Sequence, residues 1–294
     1  MKRRNFIKLT TLGAATLALN TPVTHAESIA EPLWIQLTKD VKTTRIGFGT
    51  GMRGSQRQSD LTRAGWQKGI EMLRYAYDRG IRLFDAADLY GTHFVIAEAL
   101  KDKPRDSYTV VTKVWFHNGN LPELERLDPK ITVKRFLREL KTDYIDVVQL
   151  HCVLAADWVE KFADAMESME ALKKEGVIRA HGISSHSNAA TDIAIKTPWC
   201  DVIHHRINSE GMNMDGSTEA AERVAEGVRL AKAAHDAGKG VIAMKVLGEG
   251  KMAHDPALRK KSTQFVAGLE SIDVMIVGFT EKEHITEFLA NAPK

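Results

Sequence analysis

The chain has 294 residues, 44% of them hydrophobic and 27% charged. These are ordinary globular proportions with ample length for a sizeable core, which excludes a disordered or fibrous chain. The formal charge is +3, but Lys2, Arg3, Arg4 and Lys8 all fall within residues 1–26, where there is no acid, and the remainder holds 37 basic against 38 acidic residues. No basic cluster stands out in that remainder, so nucleic acid is excluded as a partner.

Residues 1–26, MKRRNFIKLTTLGAATLALNTPVTHA, open on a basic stretch, continue through a weakly apolar run from Leu9 to Leu19, and end in small residues with Ala26 at a cleavage point. This is the pattern of an export signal. The apolar run is too short to span a bilayer and is interrupted by Thr10, Thr11 and Gly13, so no stable membrane anchor is expected. Arg3 and Arg4, followed by Asn5, Phe6, Ile7 and Lys8, resemble a twin-arginine signal, the address of a route that exports folded proteins. The expectation is a periplasmic protein, with the twin-arginine machinery as a partner and residues 27–294 as the mature domain.

Behind this segment a small hairpin is expected around Trp34 to Thr44. Eight short apolar runs then read as strands: RIGFGTG from Arg45, RLFDAA from Arg82, YTVVTKVW from Tyr108, YIDVVQLH from Tyr144, AHGISSH from Ala180, DVIHHRIN from Asp201, GVIAMKVL from Gly240 and DVMIVGF from Asp273. Between them lie stretches with apolar residues three or four apart. Examples are Trp66, Ile70, Leu73 and Tyr77; Phe162, Met166, Met169 and Leu172 before Gly176; and Val224, Val228 and Ala231 before Gly238. Strands alternating with helices predict a parallel sheet covered by helices, of the α/β class. Eight units in about 268 mature residues fit a closed (β/α)8 TIM barrel, with a doubly wound open sheet as the alternative. There is no Pro-rich or Gly/Ser-rich linker, which favours one domain.

In a barrel the chemistry gathers at the carboxyl ends of the strands. Those ends carry Gly49 and Thr50, Asp85, Lys113, His151, Ser184 to His186, Asn208, Lys245 and Gly278. Asp85, Tyr90, Lys113 and His151 therefore converge although 66 residues separate the first from the last. A phenol is a poor acid near neutral pH, but a neighbouring ammonium favours phenolate, and Asp85 can hold that ammonium in place. His151 can donate a hydrogen bond to a reacting oxygen.

Other chemistries fit less well. His181, His186, His204 and His205 suggest a metal-dependent barrel, but the first strand has no HxH pair and the eighth no carboxylate. Adjacent His204 and His205 point to opposite faces of a strand, so no metal is expected. GISSHS lacks the GxSxG spacing of a serine nucleophile. Cys152 and Cys200 fall at opposite ends of the barrel, beyond the roughly 7 Å limit for a bridge, and two free thiols are predicted.

The ordered motifs resemble those of the aldo-keto reductases: GFGTG, FDAADLYG, TKVW, LH, EGVIRAHGISSHS and GVIAMKVLGEG, together covering nearly all of the mature chain. The resemblance implies an eight-stranded barrel using NADP or NAD without a GxGxxG loop, and a small carbonyl or alcohol substrate. It implies Tyr90 as proton donor, Asp85 and Lys113 as its tuning pair, and His151 as orienter of the carbonyl. Ser184, Ser185 and His204 stand where the family holds the nicotinamide amide with Ser, Asn and Gln. Met244 stands where a tyrosine commonly stacks on that ring, and Lys245 reaches for the pyrophosphate. Gly49, Thr50, Gly51, Asp85, Leu247, Gly248 and Thr280 complete the expected cofactor-binding set. Gly278, Phe279 and His284 stand where relatives preferring NADP have a Lys-Ser pair and an Arg that grip the 2′-phosphate, so both cations are lost and either cofactor stays open.

Trp115 and Phe116, with His151, are the expected substrate walls. His93 lies near Tyr90 in sequence without an assigned role. The leading expectation is an exported oxidoreductase that reduces an aldehyde or ketone, or runs the reverse reaction, by direct hydride transfer. Two others are carried: an oxidoreductase whose cofactor stays bound and is recycled by a second substrate, and a cofactor-bound sensing or interaction protein with little turnover.

Overall fold

A computed structural model describes residues 31–292. The expected export segment, residues 1–26, lies outside the described residues. An antiparallel hairpin of β1 (Trp34–Thr38) and β2 (Val41–Thr44) comes first, as the sequence predicts. Eight parallel strands follow: β3 (Ile46–Gly49), β4 (Leu83–Asp85), β5 (Thr109–Val114), β6 (Ile145–Val153), β7 (Ile178–Ser185), β8 (Val202–Arg206), β9 (Gly240–Met244) and β10 (Val274–Val277). They close in the order β10-β3-β4-β5-β6-β7-β8-β9, a (β/α)8 barrel rather than an open sheet. Each strand is followed by a helix, among them Trp66–Asp78, Pro129–Leu140, Ala163–Lys174, Ala220–Asp236, Pro256–Ala267 and Lys282–Asn291.

Strand alternation decides what fills the barrel. Leu83, Val111, Val147, Ala180, Val202, Ile242 and Val274 form one apolar interior cluster, on which Leu37 and Val41 of the hairpin pack. The hairpin thus plugs the amino end of the barrel. Thr109 donates its hydroxyl to Lys42 O at 2.9 Å and ties the plug to β5. Two residues further along the strands, the same inward positions become Asp85, Lys113, Gln149 and His204. Chemistry is therefore confined to the open, carboxyl end.

The helical faces read from periodicity are mostly buried, with one exception. Leu73 and Tyr77 face the core, whereas Trp66 is 62% exposed and meets Phe94 edge-on, with ring centroids 4.4 Å apart. Its position in the first turn, after Gly65 at φ 100°, swings it off the apolar stripe. Both cysteines are free thiols.

Candidate active site

The carboxyl end of the barrel brings Asp85, Tyr90, Lys113 and His151 together. Lys113 is 1% exposed; its ammonium donates to Asp85 Oδ1 and, at 3.0 Å, to Ala86 O. His204 enters from β8 with Nε2 3.1 Å from the same Asp85 oxygen, off the direction of a hydrogen bond. Burial alone would raise the Asp85 pKa, but Lys113 and His204 outweigh it and hold the carboxyl below its usual value. For Lys113 burial wins over Asp85 and lowers the ammonium's pKa.

Tyr90 ends a single 3₁₀ turn, Asp88–Tyr90, closed by Gly91 at φ 62°. Its ring is wedged between two glycines. A Cβ on Gly51 would come within 2.2 Å of the ring, and one on Gly54 within 2.3 Å. The turn is anchored from below: Asp88 is 4% exposed and accepts from Arg57 Nε at 3.0 Å and Arg135 at 2.7 Å. Here the structure corrects the tuning expected from the sequence. Lys113 Nζ stands 5.4 Å from the Tyr90 ring centroid with its donors aimed at Asp85 and Ala86, while the phenol hydroxyl meets His151 Nε2 at 3.3 Å. Burial first, then the negative charge of Asp85, pushes the Tyr90 pKa well above 10. Tyr90 is a fully protonated phenol, not a phenolate in waiting.

Burial first, then Lys113 and the surrounding histidines, lowers the His151 pKa well below 6.5, so the ring is neutral. Its Nδ1 has no partner, which leaves Nε2 as the working atom beside the phenol. Trp115 stands edge-on to His151, centroids 5.4 Å apart, and packs with Leu89 and Leu121 beside Tyr90. Of the two expected aromatic walls, Trp115 is therefore next to the acid. Phe116, also past the end of β5, instead turns away onto Phe162, at 5.4 Å.

Behind His151, β6 is bulged, and Cys152 sits at φ 61°, a backbone state that non-glycine residues rarely hold. Its carbonyl accepts from His117 Nε2 at 2.9 Å, and its thiol lies 3.1 Å from His186 Nδ1. Arg206 also donates to that nitrogen. A guanidinium can only donate, so Nδ1 must accept and His186 is neutral. Burial and Arg206 accordingly push its pKa down to about 3.

A cleft runs from this cluster across β9 and β10 to the last helix, with about 1240 Å³ of empty space including its open mouth. Of the predicted cofactor-binding residues, Gly49, Gly51, Asp85, His204, Met244, Lys245, Leu247, Gly278, Phe279, Thr280 and His284 line it. Thr50, Ser184, Ser185 and Gly248 do not. Thr50 spends its hydroxyl on Asp85 O at 2.7 Å and on Thr92, and Ser185 is engaged by Ser187 O and Thr191 at 2.8 Å each. Ser184 is a buried ladder partner of His204, and Gly248 is buried in the turn under Leu247. His93 also faces elsewhere, bonding Glu139 and Thr112 at 2.7 Å each.

The sequence reading missed Glu249 and Arg259. Lys245 pairs with Glu249, and Arg259 pairs bidentately with Glu287, its Nε and Nη2 each 2.9 Å from a carboxylate oxygen. The first pair closes a turn after β9, where both residues have positive φ, so its spacing of four was not a helical signal. Nothing local joins residues 28 apart for the second. His205, the outward neighbour of His204, donates to Gly227 O at 2.9 Å. Among the described residues, no group of three or more His, Cys, Asp or Glu could hold a metal ion.

Comparison with known proteins places the chain in a family. An uncharacterized oxidoreductase of Bacillus subtilis, YqkF, is 32% identical over 156 residues, 50% of this chain and 47% of that protein. An NADH-specific methylglyoxal reductase of Escherichia coli K12 is 30% identical over 166 residues, 50% of each. The chain spans about half the length of the curated relatives it matches. An aldo/keto reductase from Klebsiella pneumoniae, solved in complex with NADP and acetate, shares the fold with TM-score 0.64 and 22% identity over 90% of each chain. A putative aldo-keto reductase from Pseudomona aeruginosa does so with TM-score 0.68 and 22% identity, over 91% of this chain and 98% of that one. The family model of the aldo/keto reductases matches residues 45–267, and with that match the chain belongs to the aldo/keto reductase family.

Proposed function

We infer that the protein is an NAD(P)-dependent oxidoreductase that interconverts an aldehyde or ketone and its alcohol, with Tyr90 as proton donor. The observation that carries this reading is the pairing of the Tyr90 hydroxyl with neutral His151 Nε2 at 3.3 Å, beside the buried Lys113–Asp85 pair and at one end of the cleft. The cleft suits a dinucleotide. It offers apolar walls in Met244, Leu247, Phe279 and Phe288, a lysine in Lys245, and in His204 two ring nitrogens without hydrogen-bond partners. A bound nicotinamide would supply the hydride.

The residues of the chain do the rest. With its single proton on Nε2, neutral His151 donates beside the Tyr90 hydroxyl, so a carbonyl oxygen set between the two is polarised and its growing negative charge stabilised. Although burial raises its pKa, the Tyr90 hydroxyl is the protonated acid beside the developing alkoxide, so the proton moves from it to that oxygen. Lys113 stabilises the phenolate left behind, and Asp85 fixes Lys113. Trp115 shields this corner from water. The aldehyde or ketone is a small one, and Residues 1–26 direct export by the twin-arginine route; replacing Arg3 and Arg4 by Lys and finding the protein still exported would overturn that part.

The test is nicotinamide absorbance with a panel of small aldehydes and ketones, for wild type and Tyr90→Phe. Turnover by the wild type and a loss of about 10²-fold or more in the variant is expected. Equal rates in the two would remove Tyr90 as the acid.

A further inference from the structure

The strand that carries His151 loses its neighbours at that residue. Pairing of β6 with β5 runs from Val147 to Leu150 and stops, and its register with β7 shifts between Leu150 and Val153, so neither ladder pairs His151 or Cys152. The imidazole is not fixed from its far side either. A histidine is ordinarily oriented by the bond that its second nitrogen makes, and Nδ1 of His151 has no partner. Its aim comes from the backbone, and the next residue, Cys152, holds the left-handed state at φ 61° that a Cβ disfavours. The contact that steadies this peptide is His117 Nε2 on Cys152 O, at 2.9 Å. A carbonyl can only accept, so Nε2 carries a proton and donates.

We propose that His117 is a positioning residue: by donating to Cys152 O it holds the bulge of β6 in the conformation that aims His151 Nε2 at the Tyr90 hydroxyl. The inference rests on the reading of Tyr90 and His151 given above. His117 is itself braced. Its carbonyl accepts Arg126 Nε at 2.8 Å, while Arg126 Nη2 and the Trp115 indole close on Gly119 O at 3.0 and 2.9 Å. Trp115 meets both imidazoles edge-on, with centroids 4.8 Å from His117 and 5.4 Å from His151. The same loop also reaches the acid: Asn120 O accepts Gln56 N at 3.0 Å, two residues after Gly54, whose missing Cβ admits the Tyr90 ring. One loop after β5 therefore ties down both groups of the Tyr90–His151 contact. The Cys152 thiol does not replace the bond from His117, because its contact with His186 Nδ1 is shared with Arg206 and leaves the direction of the carbonyl free.

The experiment compares wild type, His117→Phe and His117→Gln in steady-state turnover of the most active carbonyl of the panel, with circular dichroism and proton–nitrogen correlation spectra of the imidazole rings on the same samples. Phe keeps a ring beside Trp115 and removes the donor, whereas Gln returns a donor of similar reach. His117→Phe is expected to lower kcat about tenfold, to change KM by less than about twofold, and to move the His151 ring signals. His117→Gln is expected to bring kcat back to within about threefold of wild type and to return those signals. Wild-type kcat in folded His117→Phe overturns the inference, as does a loss confined to KM, a loss without movement of the His151 signals, or a loss that Gln fails to restore. If His117→Phe does not fold, His117→Gln decides alone: kcat within about threefold of wild type supports the inference and a loss of about tenfold overturns it. A wild type without turnover on any carbonyl overturns the reading of the site, and the inference with it.

Discussion

Lys113 and His204 converge on a single oxygen of Asp85, the ammonium from β5 in a hydrogen bond and the imidazole from β8 with Nε2 3.1 Å away. Asp85 is 3% exposed, so its charge is answered chiefly by the Lys113 ammonium, with the neutral His204 ring packed beside it. Asp85→Asn leaves the Lys113 ammonium buried without its counter-charge, which costs about 3–5 kcal/mol of stability at pH 7. Because burial lowers the Lys113 pKa, the folded variant sheds that proton at a pH where the unfolded chain keeps it. The deficit should therefore narrow as pH rises toward about 10, the ordinary lysine value. Urea unfolding at pH 7 and pH 9.5 measures both, and an undiminished deficit at high pH would contradict the assignment.

The two glycines that bracket Tyr90 give a sharper handle on the acid than its removal does. A Cβ on Gly51 needs space that the phenol ring occupies, at 2.2 Å from two ring carbons. Gly51→Ala should therefore displace the hydroxyl from His151 without altering any ionisable group. A shift of about 1 Å at a reacting centre lowers kcat about 10²-fold, and overpacking costs about 1–3 kcal/mol. A Gly51→Ala enzyme with wild-type kcat would show that Tyr90 is not held where the reaction needs it.

Asp88 positions Tyr90 rather than touching anything that reacts. Two residues before the phenol, it is clamped by Arg57 and Arg135, and Arg135 continues through Glu139 to His93 and Thr112, the neighbour of Lys113. Asp88→Asn keeps the shape and removes the charge. It should lower kcat about tenfold with little change in KM, and leave the shape of the pH profile unchanged, because the titrating groups remain. A rise in KM alone would place Asp88 in substrate binding instead.

How much of this was legible in the residues depends on range. The barrel and its reactive face follow from eight short apolar runs alternating with helical stretches, so Asp85, Tyr90, Lys113 and His151 could be gathered before any coordinates. Direction could be read as well, since His204 inward implied His205 outward, as observed. What stayed hidden was partnership across the fold. Phe116 turns onto Phe162, Ser185 onto Thr191, and Arg259 finds Glu287, each through packing between elements that no local pattern encodes. The Tyr90 pKa was misjudged for the same reason. Proximity to Lys113 suggested a lowered value, but the direction of the Lys113 donors and the burial of the phenol decide it.

Acid should destabilise the protein well before its carboxylates titrate. His151 and His204 have lowered pKa values chiefly through burial, His205 is pushed down to about 4 and His186 to about 3. All are neutral in the folded chain at a pH where their unfolded counterparts, near 6.5, already take up protons. Since the unfolded state then binds more protons, stability falls as pH drops below about 6.5, by up to ~1.4 kcal/mol per pH unit for each such histidine. The loss through His205 continues to about pH 4 and through His186 to about pH 3. Glu139, held at about 2 in part by its bond to His93, and Asp85 add a further loss below the ordinary carboxylate range. Urea midpoints from pH 8 to pH 4 should therefore be flat above about 7 and fall steeply beneath it. His205→Gln, which retains a donor for Gly227 O while removing one titrating ring, should make the fall shallower. A midpoint constant from pH 7 to pH 5 would mean that these rings are not buried in the neutral state.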